Sequence, residues 1–140
     1  MKKSTGQLLE TLKKENNLNH YFANNDEDFI TKGLSTYLNE LLYKNDINKT
    51  KAIEKSNLNN IYAYEIFSGK KNPSRNKLIQ LIFGMGLELT EAQRVLKIAG
   101  HSELYPRNKR DSVIIFAINQ RLSLLECENM LENLGEYAIQ

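Results

Sequence analysis

Residues 49–75 read KTKAIEKSNLNNIYAYEIFSGKKNPSR, and the rest of the chain is arranged around them. Ala52 and Ile53 fall on the inner side of a helix over about 49–56. Ser56-Asn57-Leu58-Asn59 follows as a tight turn with one inward residue, Leu58. A short side-chain oxygen satisfies the free N–H groups of a first helical turn, so Asn59 or Asn60 caps a second helix. That helix runs to about Phe67, with Ala63, Ile66 and Phe67 at core spacing. Gly69 ends it, because glycine adopts the left-handed backbone conformation at little cost. Lys70, Lys71, Pro73 and Arg75 then supply a rigid, positive turn.

Helix, tight turn, helix and basic shoulder are the layout of a helix-turn-helix. In that motif the second helix lies in the major groove, its N-terminal residues reach base edges, and flanking cations hold phosphates. Two short amphipathic helices also occur as plain core in α proteins. Length, turn and basic shoulder together favour the DNA reading.

At 140 residues the chain is one domain, or one domain with a short arm. No run of about eighteen apolar residues offers a membrane span, and the opening MKKSTGQLLETLKKE lacks the apolar centre of a signal peptide. One cysteine, Cys127, forms no internal disulfide and fits a reducing, cytoplasmic setting. Few prolines and glycines, with many Leu, Ile, Lys and Glu, favour an all-α chain. The net charge of +2 is small but unevenly spread. Residues 44–77 carry eight cations against three acids, a net +5; residues 121–140 carry one against four, a net −3. A basic middle and an acidic end make a dipolar molecule able to turn one side to phosphates, although a solvated charged face has the same composition.

Upstream, residues 4–15 read as a short helix capped by Ser4 or Thr5, with Leu8, Leu9 and Leu12 inward. Residues 16–32 read as a polar arm with a helical turn near His20-Tyr21-Phe22 and an acid run, Asp26-Glu27-Asp28. Leu34, Tyr37, Leu38, Leu41 and Leu42 share one face of a stronger helix that buttresses the motif. Downstream, a repeat begins. The segment from Arg75 matches the segment from Arg110 without a gap: Ile79 with Ile114, Leu87 with Leu122, Leu89 with Leu124, Glu91 with Glu126, Leu96 with Leu131, Gly100 with Gly135. A fixed period in the thirties marks a supersecondary unit used twice. Each unit reads as a helical hairpin with a glycine stop, about 74–85 with 90–99 and 109–120 with 124–134. Cys127 then stands in the core where the first unit has Ala92.

The string Tyr62-Ala63-Tyr64-Glu65-Ile66-Phe67-Ser68-Gly69-Lys70-Lys71-Asn72-Pro73-Ser74-Arg75 resembles the xenobiotic-response-element (XRE) family of helix-turn-helix proteins, whose fold is similar to phage λ repressor. More narrowly it resembles a small bacterial subgroup with a Tyr-rich recognition helix, a Gly-Lys-x-x-Pro-Ser-Arg turn, and downstream Leu104-Tyr105-Pro106 and Arg110-Asp111. The likeness covers about residues 34–135. It implies a bundle of about five helices with the recognition helix at 59–67. By position it implies that Lys51 meets the DNA backbone and the recognition helix. Asn60 and Ile61 touch bases, Tyr64 and Glu65 face the groove, and Lys70, Lys71 and Arg75 approach phosphate. Some members of the subgroup lie near serine/threonine kinases, which implies an adaptor as the rival class.

The chain departs from that pattern. Ile61 reaches only a thymine methyl, and Glu65 repels phosphate although it accepts from cytosine. No Arg or Lys lies within 59–67, so strong guanine readout is missing, while Asn60 suits adenine. Arg75 recurs as Arg110 in the repeat, which favours a structural role shared by both; Asp111 reads as a helix cap and His101 as an exposed loop residue. Neither His20 nor His101 has a metal-ligand neighbour at ligand spacing, and Cys127 has no cation to activate it.

The expectation is therefore an all-α, λ-repressor-like helix-turn-helix bundle with a C-terminal helical-hairpin extension. Its divisions are an N-terminal helix and arm (1–33), the helix-turn-helix domain (34–105) and the last hairpin (106–140). The expected function is a cytoplasmic, sequence-specific transcriptional regulator, a repressor, binding double-stranded DNA as a homodimer through the last hairpin or the N-terminal arm. Asn59, Asn60, Ile61 and Tyr64 would read bases; Lys49, Lys51, Lys70, Lys71 and Arg75 would hold phosphates. No catalytic residue, metal, cofactor or membrane contact is expected. The alternative is a helical protein-interaction module that keeps the fold without the DNA.

Overall fold

The computed structural model describes residues 4–24 and 33–140. Among them every regular element is a helix, nine in all: α1 (Thr5–Lys14), α2 (Leu18–Asn24), α3 (Leu34–Lys44), α4 (Lys49–Ser56), α5 (Asn60–Ser68), α6 (Arg75–Met85), α7 (Leu89–Ile98), α8 (Lys109–Asn119) and α9 (Leu124–Asn133). The fold is all-α. No helix among the described residues is long and apolar enough to cross a membrane. The acid run Asp26-Glu27-Asp28 lies outside the described residues.

The chain divides into two compact units, Met1–Lys32 and Gly33–Gln140. In the first, Ser4 opens α1 through a reciprocal cap with Gln7. The expected inward leucine stripe is corrected: Leu8 is half-buried, Leu9 is 52% exposed and Leu12 41%. Two helices of ten and seven residues present too little surface to enclose it. Between them, Glu15 Oε2 lies 2.9 Å from His20 Nδ1. The hydrogen bond from His20, helped by Asn17, holds the Glu15 carboxyl below its usual range.

The second unit is built around α6. Leu78, Ile79, Gln80, Leu81, Ile82, Gly84 and Met85 are all buried, so this helix is enclosed on most of its circumference. Most of the stabilisation therefore comes from packing rather than helix propensity. α4 crosses α6 closely because Gly84 presents no side chain to Ala52 and Ser56. Gln80 Nε2 donates to the Ser56 carbonyl at 3.1 Å, satisfying one of the free carbonyls at the end of α4. α3 packs on α5 and α7 with Leu38, Leu41 and Leu42 inward.

The repeat is visible bond for bond. Arg75 Nε and Nη2 donate to the carbonyls of Ser102 and Glu103; Arg110 Nε and Nη2 donate to those of Tyr137 and Ala138, thirty-five residues on. Gln93 Oε1 accepts from the Leu104 N–H, and Glu128 Oε1 accepts from the Ile139 N–H. Gly86 and Arg121 turn the two hairpins with φ of 64° and 60°; Gly100 and Gly135 close them at 83° and 71°. Both hairpins belong to the same compact unit as α3, α4 and α5. Cys127 is buried in place of Ala92, and burial, with Glu128 adding repulsion, pushes its thiol up to about 12.

Candidate nucleic-acid interface

The α4–turn–α5 unit is made by short polar side chains acting on the backbone. Asn48 caps α4 by accepting from the Lys51 N–H at 3.0 Å. Asn57 ends it in the left-handed conformation, φ 57°, which asparagine tolerates better than most residues. Ser56 Oγ, donating to the Ile53 carbonyl, accepts from the Leu58 N–H and so turns Leu58 into the core, 7% exposed. Asn59 caps α5 by accepting from the Tyr62 N–H at 3.2 Å. Ala63, Ile66 and Phe67 face inward, Tyr62 is half-buried, and Ile61 (72%) and Tyr64 (45%) face out beside exposed Asn60.

The N-terminus of α4 lies along the outer side of α5. Thr50 Oγ1 is 3.3 Å from the Tyr64 hydroxyl, and the Lys49 ammonium sits 5.2 Å above the Phe67 ring. Lys49 is half-buried there, and such a cation over an aromatic face contributes on the order of 1 kcal/mol. Lys51, two residues on, is exposed. Beyond α5, Gly69 turns at φ 86°, and the N–H groups of Lys70 and Lys71 fold back onto the Glu65 carbonyl at 2.9 and 3.3 Å. Both lysine side chains are exposed. Asn39 fixes this end by donating to the Phe67 carbonyl at 2.9 Å and the Ser35 carbonyl at 2.7 Å.

Four positions singled out in the sequence serve the scaffold. Asn59 uses its side-chain oxygen as the helix cap. Arg75 is turned into the hairpins: besides its two carbonyl bonds, Nη1 and Nη2 hold the Asp111 carboxylate at 3.2 and 3.0 Å. With four acceptors on three nitrogens and a side chain only 23% exposed, it has little left for a phosphate. Asp111 is the buried partner of that pair and accepts from the Tyr105 N–H; Asn108 supplies the cap of α8. His101 is not a free loop residue either, since its Nε2–H donates to the Pro73 carbonyl at 2.9 Å. That bond and buried Pro73 brace the segment that follows Lys71.

Two contributors gave no signal in the sequence. Thr50 needs the fold to bring it to Tyr64. Asn39 lies 28 residues before its acceptor and shows only as a polar residue on a helix. Comparison with protein-family models, with curated proteins and with solved structures finds no match.

Proposed function

We propose that the chain is a sequence-specific double-stranded DNA-binding transcriptional regulator, a repressor acting as a homodimer. The observation that supports this reading is the contact of α5 with the N-terminus of α4, where Thr50 lies beside Tyr64 and Lys49 over Phe67, together with the exposure of Asn60, Ile61 and Tyr64 on α5 and of Lys51, Lys70 and Lys71 around it. Apolar and amide groups at the start of α5 suit A·T pairs: asparagine bonds both N6 and N7 on the major-groove edge of adenine, and isoleucine meets the thymine methyl. The four lysines suit phosphate, which positions without reading sequence. Arg75 belongs to the scaffold in this reading, and Asn59 contributes as the cap that aims the helix. The XRE likeness stands on the residues that carry it.

Exposed Phe116 (50%), Leu134 (63%) and Tyr137 (86%) on the last hairpin favour that hairpin as the dimer seam. The test is selection of bound fragments from the source genome, followed by a salt series on the enriched sequence. Enrichment of an A·T-rich palindrome with half-sites about ten base pairs apart supports the dimeric repressor. Affinity indifferent to salt, or no enrichment, rejects it.

A second reading has its own observation. Ile61 and Tyr64 are exposed on a helix that carries no cation, a surface equally suited to an apolar protein partner. Such an adaptor would bind through the same face with little dependence on salt.

A further inference from the structure

A groove of about 690 Å³ opens between the C-terminal end of α6 and the N-terminal end of α9. Ile82, Leu87, Ile118 and Leu124 contribute to its lining and belong to the buried core, so its floor is apolar. Two exposed cations, Lys55 and Arg121, share the lining with one acid, Glu126. The Glu126 carboxylate already accepts from the Ser123 N–H at 3.1 Å in the cap of α9. An apolar floor with exposed cations at its rim is complementary to an amphipathic anion.

Arg121 supplies a second observation. Its backbone is left-handed, φ 60°, in the turn that Gly86 makes at φ 64° in the first hairpin. Glycine takes that conformation freely, whereas an arginine there is strained. The residue that stands there is one whose side chain lines this groove. Nη1 donates to the Gly86 carbonyl at 2.9 Å and Nη2 lies 3.6 Å from Glu88, while 59% of the side chain stays exposed. The groove also touches the helix-turn-helix: Asn57, the left-handed residue closing α4, lines it and donates from Nδ2 to Gln140 Oε1.

We propose that this groove binds a small apolar carboxylate, its hydrocarbon or aromatic body on the floor and its charge at Lys55 and Arg121. An occupant meets the Asn57–Gln140 contact, so binding registers at the turn that sets α5 against α4. The proposal goes beyond the DNA-binding reading and does not depend on it.

Octanoate is the probe, with octanol and octylamine as uncharged and cationic controls of the same body, titrated into the full chain and followed by NMR. The methyl groups of Ile82, Ile118 and Leu124 and the amide of Asn57 should shift saturably. Octanoate should bind about tenfold more tightly than octanol, the range expected for a charge-assisted contact. Arg121→Gly places in the turn the residue its backbone prefers, so it should fold and bring octanoate down to the octanol affinity; Lys55→Gln should act in the same direction. Equal binding of octanol and octanoate overturns the proposal. So does unchanged octanoate affinity in the double variant, or shifts centred on Phe116 and Tyr137. None of these readouts uses DNA, so their failure leaves the regulator reading untouched.

Discussion

Gly84→Ala sets two known effects against each other. Replacing a mid-helix glycine by alanine ordinarily stabilises by roughly 0.5–1 kcal/mol, through lower chain entropy in the unfolded state. At this position the new Cβ would lie 2.2 Å from the Ala52 carbonyl oxygen, 2.7 Å from Ser56 Cβ and 2.8 Å from Ser56 N. All three atoms belong to α4, and two are backbone, so no side-chain rotation makes room. Ordinary Cβ contacts begin at 3.4 Å, so α4 must back away from α6 by about 1 Å at their crossing. Overpacking of this kind costs about 1–3 kcal/mol, and a backbone obstacle puts the cost at the upper end. Net of the helix gain, the variant should lose about 2 kcal/mol, or roughly 8 °C in melting temperature. Thermal melts followed by circular dichroism, with urea titrations for the free energy, measure it. Under the DNA-binding proposal, affinity for DNA should also fall in the folded variant, because α4 carries Lys49 and Lys51. A melting temperature unchanged or raised would refute the close-crossing argument.

Asp111→Ala strips the Arg75 guanidinium of its counter-charge and the Tyr105 N–H of its acceptor, and should cost about 3 kcal/mol; Arg110→Gln, which loses no ion pair, should cost nearer 1 kcal/mol. Urea midpoints decide, and the reverse order would contradict the roles given to the two arginines. The Cys127 thiol, raised to about 12 by burial, holds its proton more tightly folded than unfolded. Its contribution is therefore intact below the ordinary thiol value of 9.0 and declines as pH rises from there towards 12, by up to about 1.4 kcal/mol per pH unit. Cys127→Ala, which copies Ala92, should remove that part of the alkaline slope; comparison of the two proteins at pH 8 and 10.5 checks it. If Lys70 and Lys71 hold phosphates, replacing both by alanine should reduce the slope of log K against log salt by about 2 per protomer. An unchanged slope would take these lysines off the DNA.

Local rules made much of this fold legible. Capping asparagines, a buried leucine in a tight turn and glycine stops are short-range chemistry, and the helix limits at 49–56 and 75–85 follow from them. The repeat was legible for the same reason. It also pointed to a structural role for Arg75, because a loop clamp recurs as Arg110 where a phosphate ligand need not, but the expectation still set Arg75 on phosphate, and its acceptors show only in the fold. Quantities that depend on a partner far along the chain were not legible. Leu9 and Leu12 have faultless helical spacing, yet spacing reports amphipathicity and not whether anything covers the stripe. Gly84 looks like an ordinary weak point in a helix until α4 is laid across it. His101 and Asp111 read as loop and cap residues because Pro73 and Arg75, their partners, lie 28 and 36 residues away.

The surface around α5 joins these two kinds of information. Its cations lie outside the helix, in segments fixed by the scaffold: Lys49 by its seat over Phe67, Lys70 and Lys71 by backbone bonds to Glu65. The helix itself offers an amide, an aliphatic side chain and a phenol. In a DNA complex that division separates affinity, carried by the lysines and weakened by salt, from discrimination, carried by Asn60 and Ile61 and indifferent to salt. A protein partner would engage the same aliphatic and phenolic groups but would not need the lysines. The two proposals, adaptor and regulator, thus draw on the same segments and differ in which of their residues matter. The scaffold residues Asp111 and Gly84 affect both readings alike, so only the lysines and the start of α5, varied separately, tell them apart.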